Sequence, residues 1–474
     1  QTQSTDFPII GGFQSSSGGQ QDGVVLKINS TCTALTWSSY LGGAGDDGAF
    51  VLDISPLTGD VYVGGGTTSN GSFPGNKSGV RGPAYGGGET DGFVAQISNN
   101  GALIRSSYMG TAGADIIYGL KFDRKGFPYI MGVSRGGTWP VENAVYSVGG
   151  SSQFVAKLQP DLSRFVYSTV FGSGSSQPNM SPVAFLVDRC ENVYISGWGG
   201  WIGEGKDIYD QVGVAGMPIS ADAIKKTTDN KDFYFIVIKK NASELLYGSY
   251  FGQTGGKFGE HVDGGTSRYD QQGVIYRAIF PTTPGVIGRV NGTGTRGCNL
   301  AAVKISFNFA GVASGPESFV DGINDSVGCA PFTVTLRDTV RNAVSYIWKF
   351  GDGTPDSATT SFELSHTYNA VGSYEVMLIA IDSTSCNVAD TAYTNIRVGD
   401  VKANVVIAIE KLEPCAELNY RFDNLSTSSS LLRPFTDSSF IWDFGDSTAP
   451  VISNTGSVTH SFSNPGVYQV TLSL

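Results

Sequence analysis

The sequence predicts an all-β chain, and three observations carry that expectation. Glycine fills 64 of 474 positions, about twice its usual share and without a collagen period, which fits many tight turns between many short strands. Apolar runs are short, as in "FYFIVI" at 233–238, and suit buried strands rather than long amphipathic helices. The chain also repeats itself in two different ways, once over residues 1 to about 310 and again beyond about 314.

The first repeat aligns "DGVVLKIN" (22–29), "DGFVAQIS" (91–98), "SQFVAKLQ" (152–159), "DFYFIVIK" (232–239) and "CNLAAVKIS" (298–306). After each of the first four comes a strand ending in small residues: "LTWSSYLGG", "LIRSSYMGT", "FVYSTVFGS" and "LLYGSYFGQ". A third strand and a fourth ("VYVGG", "PYIMG", "VYISG", "VIYRA") complete the unit. A bulky residue then precedes proline, at Phe7-Pro8, Phe73-Pro74, Trp139-Pro140, Met217-Pro218 and Phe280-Pro281, with spacings of 66, 66, 78 and 63 residues. Four short strands at a steady period predict a β-propeller, since no single unit can bury both faces alone. These units resemble the SBBP-type propeller repeat, through the "FVAKL" opening, the "YSTVFG" second strand, the "NVYISG" fourth strand and the "DFP" mark. Only four complete units are visible, so the chain is expected to begin inside a propeller.

The second repeat rests on rare residues at equal spacing. Trp348 and His366 are 18 apart, as are Trp442 and His460; His366–Tyr374 and His460–Tyr468 each span 8. Trp348 with Phe350, and Trp442 with Phe444, share a strand face ahead of a Gly-Asp turn, and "VYQVTLSL" alternates with Tyr468, Val470, Leu472 and Leu474 inward. This pattern resembles the PKD domain, which implies an immunoglobulin-like β-sandwich. The predicted domains are a propeller over 1–312, a first PKD domain over 313–399 and a second over 400–474. The second copy has Ser447 where the motif has glycine, and it is expected to continue past Leu474 to a closing strand.

The formal net charge of −11, with no basic run, argues against nucleic acid or an anionic membrane as main partners. No apolar stretch is long enough to span a membrane. The N-terminus shows no signal core, and the six cysteines form no C-x-x-C pair, against a zinc ribbon or redox dithiol. Catalytic motifs are weak. His366 and His460 belong to the sandwich pattern, and His261 stands between Glu260 and Asp263 in a Gly-rich loop with nothing to fix acid–base geometry. "GVSRG" around Ser134 matches G-x-S-x-G but lacks the following helix, and "GAGDDG" (43–48) precedes a strand rather than a phosphate-binding helix. No catalytic residue and no cofactor are therefore assigned. Asp46, Asp47 and Asp115 fall in matching turns, where they either close the turns or line a rim that holds Ca²⁺.

A propeller ahead of tandem PKD domains resembles large surface proteins of Bacteroidota exported by type IX secretion, some of them in gliding and adhesion systems. That resemblance implies an extracellular, outer-membrane-associated location, with surface or secretion-system proteins or extracellular glycans as partners. A glycosylation pattern of that phylum, Asp-Ser/Thr-small, marks Ser326, Thr339, Ser357, Ser383, Thr391 and Ser447, all in the PKD region. In a sandwich of this type Cys329 and Cys386 are expected to lie on neighbouring strands and form a disulfide; Cys415 matches Cys329, and Cys32, Cys190 and Cys298 stay unassigned. The function expected is a non-catalytic surface or adhesion protein, a binding head on a stalk. The alternative is the accessory region of a secreted polysaccharide- or protein-degrading enzyme.

Overall fold

In the computed structural model, residues 1–199, 212–252, 267–270, 273–279, 301–307, 309–399, 403–414, 417–428 and 435–474 are described. The chain divides into two compact units, Gln1–Gly311 and Val312–Leu474. Among the described residues the one helical element is a 3-10 turn, Lys240–Ala242.

The first unit is a succession of antiparallel sheets. β1 (Gly23–Ile28) and β2 (Leu35–Leu41) form a pair. β3 (Asp47–Ile54), β4 (Val61–Thr67), β5 (Asp91–Ile97) and β6 (Leu103–Met109) form a four-stranded meander. So do β7 (Ala114–Phe122), β8 (Pro128–Arg135), β9 (Gln153–Leu158) and β10 (Phe165–Phe171), and then β11 (Ser181–Val187), β12 (Val193–Trp198), β13 (Phe233–Ile238) and β14 (Leu245–Phe251). β15 (Ser267–Tyr269), β16 (Val274–Ile279) and β17 (Ala301–Ser306) make a three-stranded sheet. Among the described residues no sheet closes on itself. Each sheet packs face to face on the next. Trp37, Val63 and Phe93 fill one layer, Val94, Ile117 and Phe154 the second, Val155, Ile195 and Ile236 the third, and Phe235, Ile275 and Phe307 the fourth. The first strands β3, β7, β11 and β15 abut one another in turn.

The sheets do not share the phase of the visible repeat. Each four-stranded sheet joins the third and fourth strands of one sequence unit to the first and second of the next, as in β3-β4-β5-β6. A periodic sequence has no intrinsic starting point, so the conspicuous "FVAKL" segment is the third strand of its sheet.

This phase explains the proline mark. It lies in the long link between the second and third strands of a sheet, and that link runs back along the sheet's last strand. Ser106 and Tyr108 of β6 donate backbone N–H groups to Asn76 and Gly82, and Ser38 of β2 to Ile10. Ser168 of β10 exchanges backbone hydrogen bonds with Glu142, and Tyr250 of β14 donates to Lys225. Ser38, Ser106 and Ser168 also donate their hydroxyls to the carbonyls of Pro8, Pro74 and Pro140, at 2.5, 2.5 and 2.7 Å. The bulky residue anchors the strap: Phe73 lies 4.4 Å from the Phe93 ring, and Trp139 stacks on Phe154. Burial of one such ring stabilises by about 1.5–3 kcal/mol. The strap thereby covers a sheet edge that would otherwise be open to another chain.

The second unit holds two sandwich modules. In the first, β18 (Pro316–Val320), β19 (Ile323–Asn324), β21 (Phe332–Asp338) and β24 (Glu363–Tyr368) form one sheet. β20 (Val327–Cys329), β22 (Ser345–Lys349), β23 (Ser357–Thr359), β25 (Gly372–Ile381) and β26 (Ala389–Gly399) form the other, with β20 parallel to β26. Trp348, Leu336, Val376, Leu378 and Ile396 are fully buried between them. The second module contains β27 (Ala403–Asn404) paired with β30 (Thr427–Ser428). It also has the sheet β28 (Ile407–Lys411), β29 (Asn419–Asn424) and β33 (Gly456–Ser461), and the sheet β31 (Phe440–Asp443), β32 (Val451–Ser453) and β34 (Thr471–Ser473). Its core gathers Phe422, Trp442 and Phe444. Tyr468, Val470 and Leu472 are half-buried and alternate with exposed residues as expected, whereas Leu474 is exposed.

Candidate functional site

The crossovers between sheets in the first unit concentrate buried charge. Asp22 immediately precedes β1 and Asp47 opens β3; both are buried, as are Asp91 and Asp115 at the next crossover. One oxygen of each carboxylate caps a turn. Oδ2 of Asp22 accepts the Gly18 N–H at 2.7 Å, and Oδ2 of Asp47 accepts the Gly43 N–H at 2.7 Å and the Ser69 hydroxyl at 2.8 Å. Oδ2 of Asp91 takes the Gly86 N–H at 2.5 Å, and Oδ2 of Asp115 the Thr111 N–H at 2.6 Å. The Oδ1 atom of all four is buried without a hydrogen-bond partner. The central glycine of each "LGG" or "MGT" segment is required by this arrangement. A Cβ on Gly42 would stand 2.3 Å from Asp22 Oδ1, and one on Gly110 2.2 Å from Asp91 Oδ1.

Burial raises the pKa of Asp47 and Asp115, and it lifts Asp91 to about 6 against the hydrogen bond from Gly86. The third crossover uses no carboxylate: Ser152 stands where Asp91 does, and Asn179 Oδ1 accepts the Ser173 N–H at 2.8 Å. The fourth sets Lys225 Nζ 2.8 Å from Asp232 Oδ1. Asp46 is exposed, apart from the buried pair, and Asp47 and Asp115 serve different crossovers. Among the described residues no three His, Cys, Asp or Glu side chains form a metal-holding group. The three aspartates of the expected rim are thus not brought together.

Ser134 lies inside β8, buried and paired on both sides, with its hydroxyl 3.2 Å from Thr111 Oγ1. It is a strand residue, not a nucleophile elbow. Glu260, His261 and Asp263, with Cys298, Cys415 and Phe280-Pro281, lie outside the described residues. His366 Nε2 meets Asp352 Oδ2 at 2.7 Å, and its ring stacks on Phe350; His460 repeats this with Asp446, at 2.7 Å, and with Phe444. Asp446 is held at about 2, first by the hydroxyl of Thr448 and then by His460. The imidazole locks the Gly-Asp turn to β24 in one copy and to β33 in the other.

The six Asp-Ser/Thr positions lie at or near the surface: Thr339, Ser383, Thr391 and Ser447 are exposed, and Ser326 and Ser357 half-buried. In four of these motifs the aspartate accepts the N–H two residues on, at Val327, Val340, Thr384 and Thr448. That Asx turn gives the pattern a local reason to recur in sandwich loops.

The expected Cys329–Cys386 disulfide is not formed. Cys329 is a free thiol, while Cys386 is disulfide-bonded, as is Cys190. Cys329 pairs with Gly399 at the far end of β26, and Cys386 precedes Ala389 at its beginning. Ten residues of strand, at about 3.3 Å each, separate the two. Alkylation of the unreduced protein is expected to label Cys329 and to spare Cys386 and Cys190; peptide mass spectrometry that found Cys329 blocked would overturn this assignment.

One cluster was not anticipated. Lys157 of β9, nearly fully buried, places Nζ 2.8 Å from both Asp123 Oδ2 and Glu191 Oε2. Glu191 also binds Lys125 at 2.7 Å and Lys240 at 2.8 Å. Burial works to raise the Glu191 pKa, but the three lysines override it and hold it at about 2. The signal available in the sequence was a lysine inside an apolar strand, "QFVAKL", and a glutamate at a turn position that is Gly59, Gly126 or Gly273 in the other copies.

The PKD domain family model matches residues 322–398 and 415–474. No curated protein matches the chain. Among solved structures, the extracellular domain of a hybrid two component system from B. thetaiotaomicron aligns at 13% identity and TM-score 0.23, over 79% of this chain and 47% of that one. A second such domain from the same organism aligns at 8% identity and TM-score 0.20, over 74% and 56%. The chain therefore spans about half the length of each. A fungal alcohol oxidase of the AA5 family, in complex with copper, aligns at 10% identity and TM-score 0.22, over 81% and 82%. None of these likenesses is close enough to carry fold or function.

Proposed function

We propose that this chain is part of a non-catalytic extracellular surface protein, with a propeller head of SBBP-type repeats carried on PKD modules. Tandem matches to the PKD domain are the observation that carries the reading, with these modules read here as the stalk. The meander sheets of the first unit, each stacked on the next with their first strands adjacent, support blades arranged about an axis. The described polar groups at the crossovers and Gly-Asp turns are engaged in capping backbone N–H groups rather than converging on one cleft. Export by type IX secretion, a role in adhesion or gliding, and O-glycosylation at Ser326, Thr339, Ser357, Ser383, Thr391 and Ser447 belong to the same proposal. The partners are extracellular glycans or other surface proteins. No helix among the described residues is long and apolar enough to cross a membrane.

The test is an array of polysaccharides and glycoproteins incubated with the purified chain, beside antibody labelling of intact native cells. Surface labelling and retention of an array component without turnover are expected. Release of sugar or peptide fragments, or labelling only after permeabilisation, would refute the proposal.

A further inference from the structure

We propose that Lys157 and Asp123 are joined by an intramolecular isopeptide bond, formed with Glu191 as the catalytic residue. The three side chains are nine-tenths or more buried, and Lys157 Nζ stands 2.8 Å from a carboxylate oxygen of each acid. The rings of Phe127 and Tyr129 flank Nζ at 4.6 and 5.0 Å and exclude water.

The two oxygens of Asp123 are differentiated. Oδ1 accepts the backbone N–H groups of Lys125 at 2.9 Å and Phe127 at 3.0 Å. Those donors polarise the carboxyl carbon and are placed to hold the oxyanion of a tetrahedral intermediate. Oδ2 is buried and has no hydrogen-bond partner, and although it is close to Nζ it is not in hydrogen-bonding alignment with it. It is the oxygen free to leave. Fixed contact between amine and carboxyl supplies the effective concentration that free side chains lack.

The step balances without a co-reactant. Glu191 takes a proton from the Lys157 ammonium, and the freed amine attacks Cγ of Asp123. The C–N bond forms, Glu191 returns its proton to Oδ2, and a second proton from Nζ follows. The C–Oδ2 bond then breaks, and one water leaves. An ammonium and a carboxylate become a neutral amide, which ends the desolvation cost of two buried charges. Glu191 finishes as it began.

The repeat supplies internal comparisons. Lys157 pairs with Tyr129 across the sheet; at the same register Gln96 pairs with Tyr62 and Val237 with Tyr194. The turn position of Asp123 is Ser55 in one copy and Asp188 in the next. In the three-stranded sheet Lys304 pairs with Tyr276 at this register and Asp270 stands at the turn, but Lys304 is exposed, so Lys157 is the buried lysine of the two. Glu191 holds φ at +63°, where Gly59, Gly126 and Gly273 take up the same left-handed backbone. A side chain kept there against backbone preference points to a role for the carboxylate.

Intact mass of the reduced wild-type chain tests this directly. The expected mass is one water below that of the sequence, and proteolysis should yield a branched peptide joining the Asp123 and Lys157 segments. Asp123→Asn should lose one ammonia instead, and Glu191→Gln should keep the full sequence mass. Full wild-type mass with separate, unmodified Asp123 and Lys157 peptides would overturn the proposal and leave an ordinary buried ion pair.

Discussion

Replacing Trp348 with alanine is expected to destabilise the first PKD module by about 3–5 kcal/mol, most of a small domain's stability. The indole is fully buried between the two sheets, on a strand held by β23 and β25, and packs with Leu336, Leu378 and Ile396. Removing it leaves a cavity that rigid strands on both sides cannot close. Trp348→Phe should cost much less than the lost area suggests, because Nε1 is buried without a hydrogen-bond partner and phenylalanine removes that unpaired donor. Chemical denaturation of the wild type and both variants checks the pair. Equal losses for alanine and phenylalanine would show that the N–H has a partner and that the ring volume is not what stabilises the module.

The sandwich modules were legible because their markers are rare residues with one structural use. Trp348, Asp352, His366 and Tyr374 interact within one core and one turn, so their spacing cannot drift without breaking contacts. The strands of the first unit were legible through the FVAKL-type pattern and the proline marks. Their grouping into sheets was not, since Thr67 and Asp91 are neighbours in a sheet yet stand at opposite ends of a long strap. Register across such a strap is set by packing of Phe73 on Phe93, which no local pattern encodes. The cysteines misled for a related reason: nearness to strand ends was visible, but not which end of β26 each one meets. The Lys157–Asp123–Glu191 cluster was hidden because its members come from a strand and from turns of two successive sheets. Each of them reads alone as an ordinary charged residue.

Replacing Asp91 with asparagine is expected to stabilise the first unit at neutral pH and to leave it unchanged, or slightly weaker, in acid. Asp91 is fully buried, and desolvation lifts its pKa from 3.8 to about 6. An acid whose pKa is higher in the folded state binds its proton there first. Between those two values the folded chain holds more protons than the unfolded one, so stability falls as pH rises through the window. Above pH 6 the charged carboxylate costs roughly 3 kcal/mol at two pKa units, an order-of-magnitude figure. Asparagine keeps an oxygen for the Gly86 N–H and carries no charge, an arrangement the chain already uses at Asn179 in its third crossover. Any fixed cost of housing the extra N–H₂ is the same at every pH, so the difference between variant and wild type isolates the charge. That difference should be flat below about pH 4, climb in favour of the variant between 4 and 6, and level off above. Asp188, also raised to about 6 by burial, keeps some pH dependence in the variant. Thermal unfolding across that pH range supplies the measurement. A difference curve that stays flat would mean that Asp91 is no harder to ionise folded than unfolded. The crossover would then hold its charge by its hydrogen bonds and not by keeping the proton.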